Sequence, residues 1–263
     1  MNARWLRLFW RQVDVQLRIR TFDPYSLLLF FLQPAIFSGV GMVLSRAAGQ
    51  AQPDLVYTVI GGGMLGMWSG LVFTSTFDIT RDRRDGTLEL IVASPTSLAM
   101  VEAVRTFSNV VAGLASMAAA VAAAVFLFDY PLASVDLPGA LVSLGMIVFG
   151  MWSIGVFLAN FPVWSRITGS YVEFLEIPVA LVCGFMYPIG ILPGWMQAIS
   201  AAIPIRWALE ALDTALLGTG GIEYYLRQWG MALALSLLFW GLAHWLGLKI
   251  HDRIRVSGEM SAI

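Results

Sequence analysis

Apolar residues in this chain gather into long uninterrupted runs instead of alternating with polar ones, and the runs are about as long as a membrane is thick. A helix crossing the roughly 30 Å hydrocarbon layer needs about 20 mostly apolar residues. Six segments qualify: residues 25–44, 55–77, 107–128, 137–161, 171–191 and 229–248. The first opens on Asp23-Pro24, a capping residue followed by proline at the first helical position, and it carries Pro34 midway, where a kink is expected. It is too long for a signal-peptide core and follows a charged stretch, so it reads as a retained span. Gly62, Gly66 and Gly70 repeat every four residues along the second run, and Ala112, Ser116 and Ala120 do so in the third. Small residues at that spacing let helix backbones approach closely in lipid. Packing within one subunit is the plain reading; a seam between subunits is the alternative.

Two stretches keep helical periodicity but are not spans. At 100° per residue Arg4, Arg7, Arg11, Asp14 and Arg18 share one arc, opposite Trp5, Leu6, Phe9, Val13 and Leu17. Residues 1–22 are therefore expected to form a helix lying in the membrane interface, its arginines towards anionic headgroups and its aromatic face in the acyl boundary. Residues 192–228 are too apolar for a solvated loop and are divided by Pro193-Gly194-Trp195 and by Pro204. Met196, Ile199, Ala202 and Ile203 belong to the first piece, and Trp207, Leu209, Leu212 and Leu216 to the second. Each is shorter than a span, so a hairpin that dips into the outer leaflet and returns is expected, with Arg206 and Glu210 paired one turn apart. It reads either as a gate on a transport path or as a cap on the bundle.

Composition places the whole chain in the membrane. Only 13% of its 263 residues are charged and 58% are hydrophobic, where a soluble domain carries about a quarter charged. One all-α membrane domain over residues 1–263 is the economical reading. The net charge of −1 hides a sorting of the sixteen basic residues. With alternate sides assigned to the connections between six spans, thirteen fall on one face and three (Arg46, Arg206, Arg227) on the other. The positive-inside rule then puts both termini in the cytoplasm. A single lysine, Lys249, in an Ala- and Gly-rich chain fits a GC-rich bacterial genome and hence a bacterial inner membrane. The lone Cys183 lies in an apolar run and offers no disulfide framework or paired metal ligands. Glu173 and Glu176, at the inner end of the fifth run, are acids in an apolar setting. They read as contacts for substrate or a neighbouring subunit, or as snorkelling groups paired with Arg166.

The connection over residues 78–105 is far more charged than a turn requires. It contains Arg81-Asp82-Arg83-Arg84-Asp85-Gly86-Thr87-Leu88-Glu89, then Leu90-Ile91-Val92-Ala93-Ser94-Pro95. The Gly-Thr pair is expected to start a short amphipathic helix at the inner face, stopped before Pro95. Here the sequence resembles the permease subunits of type 2 ABC exporters, whose second cytoplasmic connection carries a Glu-Arg-x-x-Gly-Thr-Leu-Glu-like run ending in a small residue and proline. Arg83, Arg84, Asp85, Gly86, Thr87, Leu88, Glu89 and Pro95 match, with Asp82 where the family often has Glu. The resemblance implies that this segment is a coupling helix docking on a separate cytosolic ATPase. It also implies six spans, an interfacial N-terminal helix, a re-entrant hairpin before the last span, and a second permease subunit, identical or paralogous. Export of a drug, lipid-like or glycolipid amphiphile is the function it implies. Glu173, Glu176, Pro193, Pro204, Arg206 and Glu210 are candidates for the path or gate.

No G-x-x-x-x-G-K-[ST] occurs, since Ile250 follows the only lysine, so this chain does not hold ATP in a P-loop. ATP and Mg are expected on the partner, with no cofactor, metal or nucleic acid bound by this chain and membrane lipids around it. Two other function classes compete. An ion-gradient-driven secondary transporter would show paired halves or midplane charges, and neither is evident. An intramembrane serine protease would need Ser69 and His244 to meet, but Gly66-Met67-Trp68-Ser69-Gly70 is not its nucleophile motif.

Overall fold

The computed structural model describes residues 3–21, 32–47, 56–87, 98–128, 136–165, 174, 176–185 and 187–257, and every regular element among them is helical. In chain order these are α1 (Ala3–Thr21), α2 (Gln33–Ala47), α3 (Gly61–Arg84, entered through a π-helical turn Val56–Ile60), α4 (Leu98–Phe128), α5 (Leu137–Ser165) and α6 (Glu176–Val182). A 3-10 turn at Ile189–Ile191 leads to α7 (Gly194–Ala201), α8 (Pro204–Leu217) and α9 (Ile222–Ser257). Three stretches among the described residues are long and apolar enough to cross a membrane: Met100–Ala122, Leu137–Asn160 and Ile222–Lys249.

α5 is apolar on all sides, as a helix at the centre of a bundle must be. It packs against α9, α8, α4 and α3. The core it shares includes Met64, Met67, Trp68, Leu71, Ile147, Met151, Phe185, Ile205 and Leu209, with flexible methionines filling the gaps between bulkier groups. Cys183 is buried there as a packing residue. The outward faces are apolar too: Leu233, Leu237, Leu238, Leu242 and Trp245 of α9 are all exposed. Such a surface is stable against lipid tails and unstable against water.

The glycine ridge of α3 faces one neighbour. A Cβ on Gly62 would lie 2.4 Å from Ser38 Oγ and one on Gly66 2.2 Å from Pro34 Cγ, so that face receives α2. The α3–α4 approach runs instead through Gly63, against Met117, and Gly113, against Met67. These contacts realise the intrasubunit packing expected from the spacing, with Ser116 and Ala120 buried on α4.

Several expected boundaries shift. α4 begins at Leu98, nine residues before the expected start at Phe107, and so takes Glu102 and Arg105 into the helix. The uninterrupted fifth run does not hold. α6 ends at Val182 because Gly184 adopts φ +68° and the Phe185 amide donates to the Ala180 carbonyl at 3.3 Å, a left-handed C-terminal cap. At Gly86-Thr87, where a helix start is expected, the described residues show a helix end. Gly86 has φ +68° and Thr87 N–H donates to Asp82 O at 2.9 Å, closing α3 with the same cap. Pro34 stands in the first turn of described α2, and the residues before it, Asp23-Pro24 included, lie outside the described residues. Leu88, Glu89, Pro95, Arg166 and Glu173 also lie outside them.

Candidate functional site

Three polar assemblies interrupt the apolar bundle. At the end where α3 closes and α4 begins, Arg105 lies between two carboxylates. Its Nη1 donates to Asp82 Oδ2 and, at 3.2 Å, to Glu102 Oε1, while Nη2 donates to Asp82 Oδ1 at 3.2 Å. Side-chain exposure is 12% for Arg105 and Asp82 and 2% for Glu102. Thr87 Oγ1 donates to the same Asp82 carboxylate at 3.2 Å. The turn Asp85-Gly86-Thr87 is thereby tied to α4 as well as to α3, while Asp85, Gly86 and Thr87 themselves remain exposed. Arg83 and Arg84 form the last residues of α3. Sequence reading took Arg105 only as a positive-inside charge and did not single out Glu102. Their spacing of three residues ahead of an apolar run was the available signal.

The second assembly lies within the bundle. Trp68 Nε1 donates to the Glu176 carbonyl at 3.0 Å, Ser69 Oγ donates to Glu176 Oε1, and Gln33 Nε2 donates to Ser69 Oγ at 3.3 Å. α2, α3 and α6 thus meet at one carboxylate. Ser69 is nine residues before Asp78, the first charged residue of α3, a rise of about 14 Å. One oxygen of the Glu176 carboxylate is taken up by Ser69. That hydroxyl bonds to Glu176 and Gln33, and His244 is exposed on α9, so no Ser–His pair forms.

The third assembly belongs to the helical hairpin. Pro193 precedes α7 and Pro204 sits at the first position of α8, where its missing N–H has no helical partner to lose. α8 is buried along Pro204, Ala208, Ala211 and Ala215, with Ile205, Leu209 and Leu212 beside them. Only Ser200 of α7 is buried, leaving Trp195 and Ile199 exposed. The small-residue face of α8 lets it wedge between α5 and α9. Arg206 Nε donates to Glu210 Oε1 at 3.0 Å and its Nη1 to the Gln197 carbonyl at 3.1 Å, while Gln228 Nε2 donates to Glu210 Oε2 at 3.0 Å. The expected Arg206–Glu210 pair is present, and it also fastens α7 and α9. Replacing Arg206 with Met is expected to lower stability by about 1–2 kcal/mol, since Glu210 keeps Gln228. Thermal unfolding of the purified protein, with proteolysis at the α7–α8 turn, reads it.

α1 docks on the bundle through rings. Phe9 lies 5.5 Å from Phe107 and 6.4 Å from Trp152, and Trp10 lies 6.1 Å from Phe107. Val13 is buried, and Arg7, Arg11, Asp14 and Arg18 are exposed. The amphipathic division is as expected, but Phe9 packs on protein rings where lipid was anticipated. No group of three His, Cys, Asp or Glu able to hold a metal occurs among the described residues.

A search of curated proteins finds no match to this chain. The family model described as ABC-2 type transporter matches residues 2–217, a stretch that takes in α1 through α8, the Arg105 assembly, Glu176 and the hairpin. The chain belongs to the ABC-2 type transporter family, as a membrane permease.

Proposed function

We propose that this permease moves a hydrophobic or amphiphilic substrate outward across a bacterial cytoplasmic membrane, driven by ATP hydrolysis on a separate cytosolic ATPase dimer. Two copies, or one copy and a paralogue, form the path. Each has six spans and cytoplasmic termini, in keeping with the charge sorting. α1 lies along the inner leaflet with its exposed arginines towards lipid headgroups, and the hairpin of α7 and α8 gates the outer end. The observation that carries the reading is the Asp82–Arg105–Thr87 tie. It fixes the start of the Gly86-Thr87-Leu88-Glu89 segment to both α3 and α4, so a push on that segment moves two helices together. No residue here performs covalent chemistry; ATP and Mg belong to the partner.

The test is co-expression with a candidate cytosolic P-loop ATPase, followed by replacement of Gly86 and Glu89. A Cβ on Gly86 meets nothing within 4 Å, so Gly86→Ala acts through its positive φ alone, at about 1 kcal/mol. It is expected to spare folding while weakening complex formation and transport-coupled ATP hydrolysis. Wild-type behaviour of both variants would remove the coupling assignment. Glu176, an acid among apolar residues, favours one second reading, an ion-gradient-driven carrier. Transport that persists without the ATPase and collapses with a protonophore would establish it.

A further inference from the structure

Glu176 is half-buried, and no cation among the described residues lies within ion-pair distance of it. Its polar partners are the Ser69 hydroxyl on one carboxylate oxygen and the Trp68 N–H on its backbone carbonyl. Among the described residues nothing donates to the second carboxylate oxygen. Along α3 its partner Ser69 stands about 14 Å from Asp78, the first charged residue of that helix. A carboxylate in so apolar a setting is held at a penalty unless a positive charge joins it. The residues beside it are apolar and outward-facing: Phe174 is 76% and Ile177 66% exposed, with Leu32 and Ile36 exposed on either side of Gln33. One carboxylate and one hydroxyl are too few oxygen ligands to replace the water shell of a small hydrated metal ion. They suit a cation whose charge is already shielded by its own apolar body.

We propose that Glu176 is the anionic anchor of a cargo site for lipophilic monocations, with Ser69 and Gln33 as its positioning residues. The cation's charge meets the second oxygen of Glu176 and its apolar body lies on Phe174 and Ile177. The hydrogen-bond chain Gln33→Ser69→Glu176 holds the carboxylate in one orientation between α2 and α6 and polarises it towards the cargo. This deepens the transport reading by naming the charge class of its substrate, but binding itself needs no ATPase.

The probe is tetraphenylphosphonium, with triphenylphosphine oxide as neutral comparison, titrated against the full chain in phosphatidylcholine nanodiscs. Wild-type protein is expected to bind the cation saturably and at least tenfold more tightly than the neutral compound. Glu176→Gln should weaken cation binding roughly tenfold, as loss of one charge-assisted contact does, and leave neutral binding unchanged. Glu176→Asp should retain the preference in part, and Glu223→Gln, at the exposed start of α9, should bind as wild type. Equal wild-type binding of cation and neutral compound overturns the proposal without any variant, and so does undiminished cation binding by Glu176→Gln. Loss of coupling to the ATPase with cation preference intact would sink the transport reading alone.

Discussion

Replacing Arg105 with Met is expected to destabilise the protein by about 3–5 kcal/mol, the range for removing one partner of a buried ion pair. The reason is the asymmetry of the assembly. One guanidinium serves two carboxylates, and both are shielded from water. Without it Asp82 loses a two-toothed partner and Glu102 one of its partners, both in a poorly solvated place. Asp82→Asn is expected to cost less, about 1–3 kcal/mol, because Arg105 keeps Glu102. The ordering is the check: thermal unfolding in detergent should place Arg105→Met well below Asp82→Asn. Equal losses would mean that Glu102 shares little of the charge. A functional effect should accompany the loss. Thr87 hangs on Asp82, so loosening Asp82 frees the turn that the proposed coupling segment starts from, and on the proposed ATP-driven cycle hydrolysis should run with less transport per turnover.

The assembly also shows where sequence reading of the fold succeeds and where it stops. The start of α5 at Leu137 was legible because an apolar run begins there. The α1 faces and the two hairpin pieces were legible from periodicity and proline. The start of α4 was not, because Arg105 looks like the edge of the hydrocarbon until Glu102 and Asp82 neutralise it. A run of hydropathy is likewise blind to backbone φ. Gly184 looks like any glycine in a membrane helix, yet its left-handed conformation ends α6 and turns the chain towards the hairpin. Glu176 was visible as an anomaly, but its partner is 107 residues away. No local rule points to Ser69, and Arg166, the other expected partner, lies outside the described residues. Ser69 had drawn notice only as a nucleophile candidate, for which the decisive fact is again a long-range contact.

Gly63→Leu is expected to cost about 3 kcal/mol, the upper part of the usual range for overpacking, because the obstacle is backbone. A Cβ at Gly63 would lie 2.7 Å from Met117 Cα and 3.2 Å from Met117 N, so no rotamer change relieves the clash and α3 and α4 must separate. Gly113→Ala is the instructive comparison. Its nearest obstacle is Met67 Cγ at 2.5 Å, the movable part of a flexible side chain, and the expected loss is about 1 kcal/mol. Gly145→Ala on α5 meets nothing within 4 Å, so helix propensity alone decides and the change should be neutral or stabilising by about 1 kcal/mol. Unfolding midpoints in that order would locate the α3–α4 contact at Gly63 rather than in the glycine ridge as a whole. The same variant bears on transport. Gly63 is six residues from Ser69 and on the helix that ends at the Asp82 tie, so forcing α3 from α4 weakens the rigid link between the turn at Thr87 and the carboxylate at Glu176. Cation binding in nanodiscs should survive Gly63→Leu better than ATP-coupled transport does, since binding needs α2, α3 and α6 whereas coupling needs α3 and α4 to move as one.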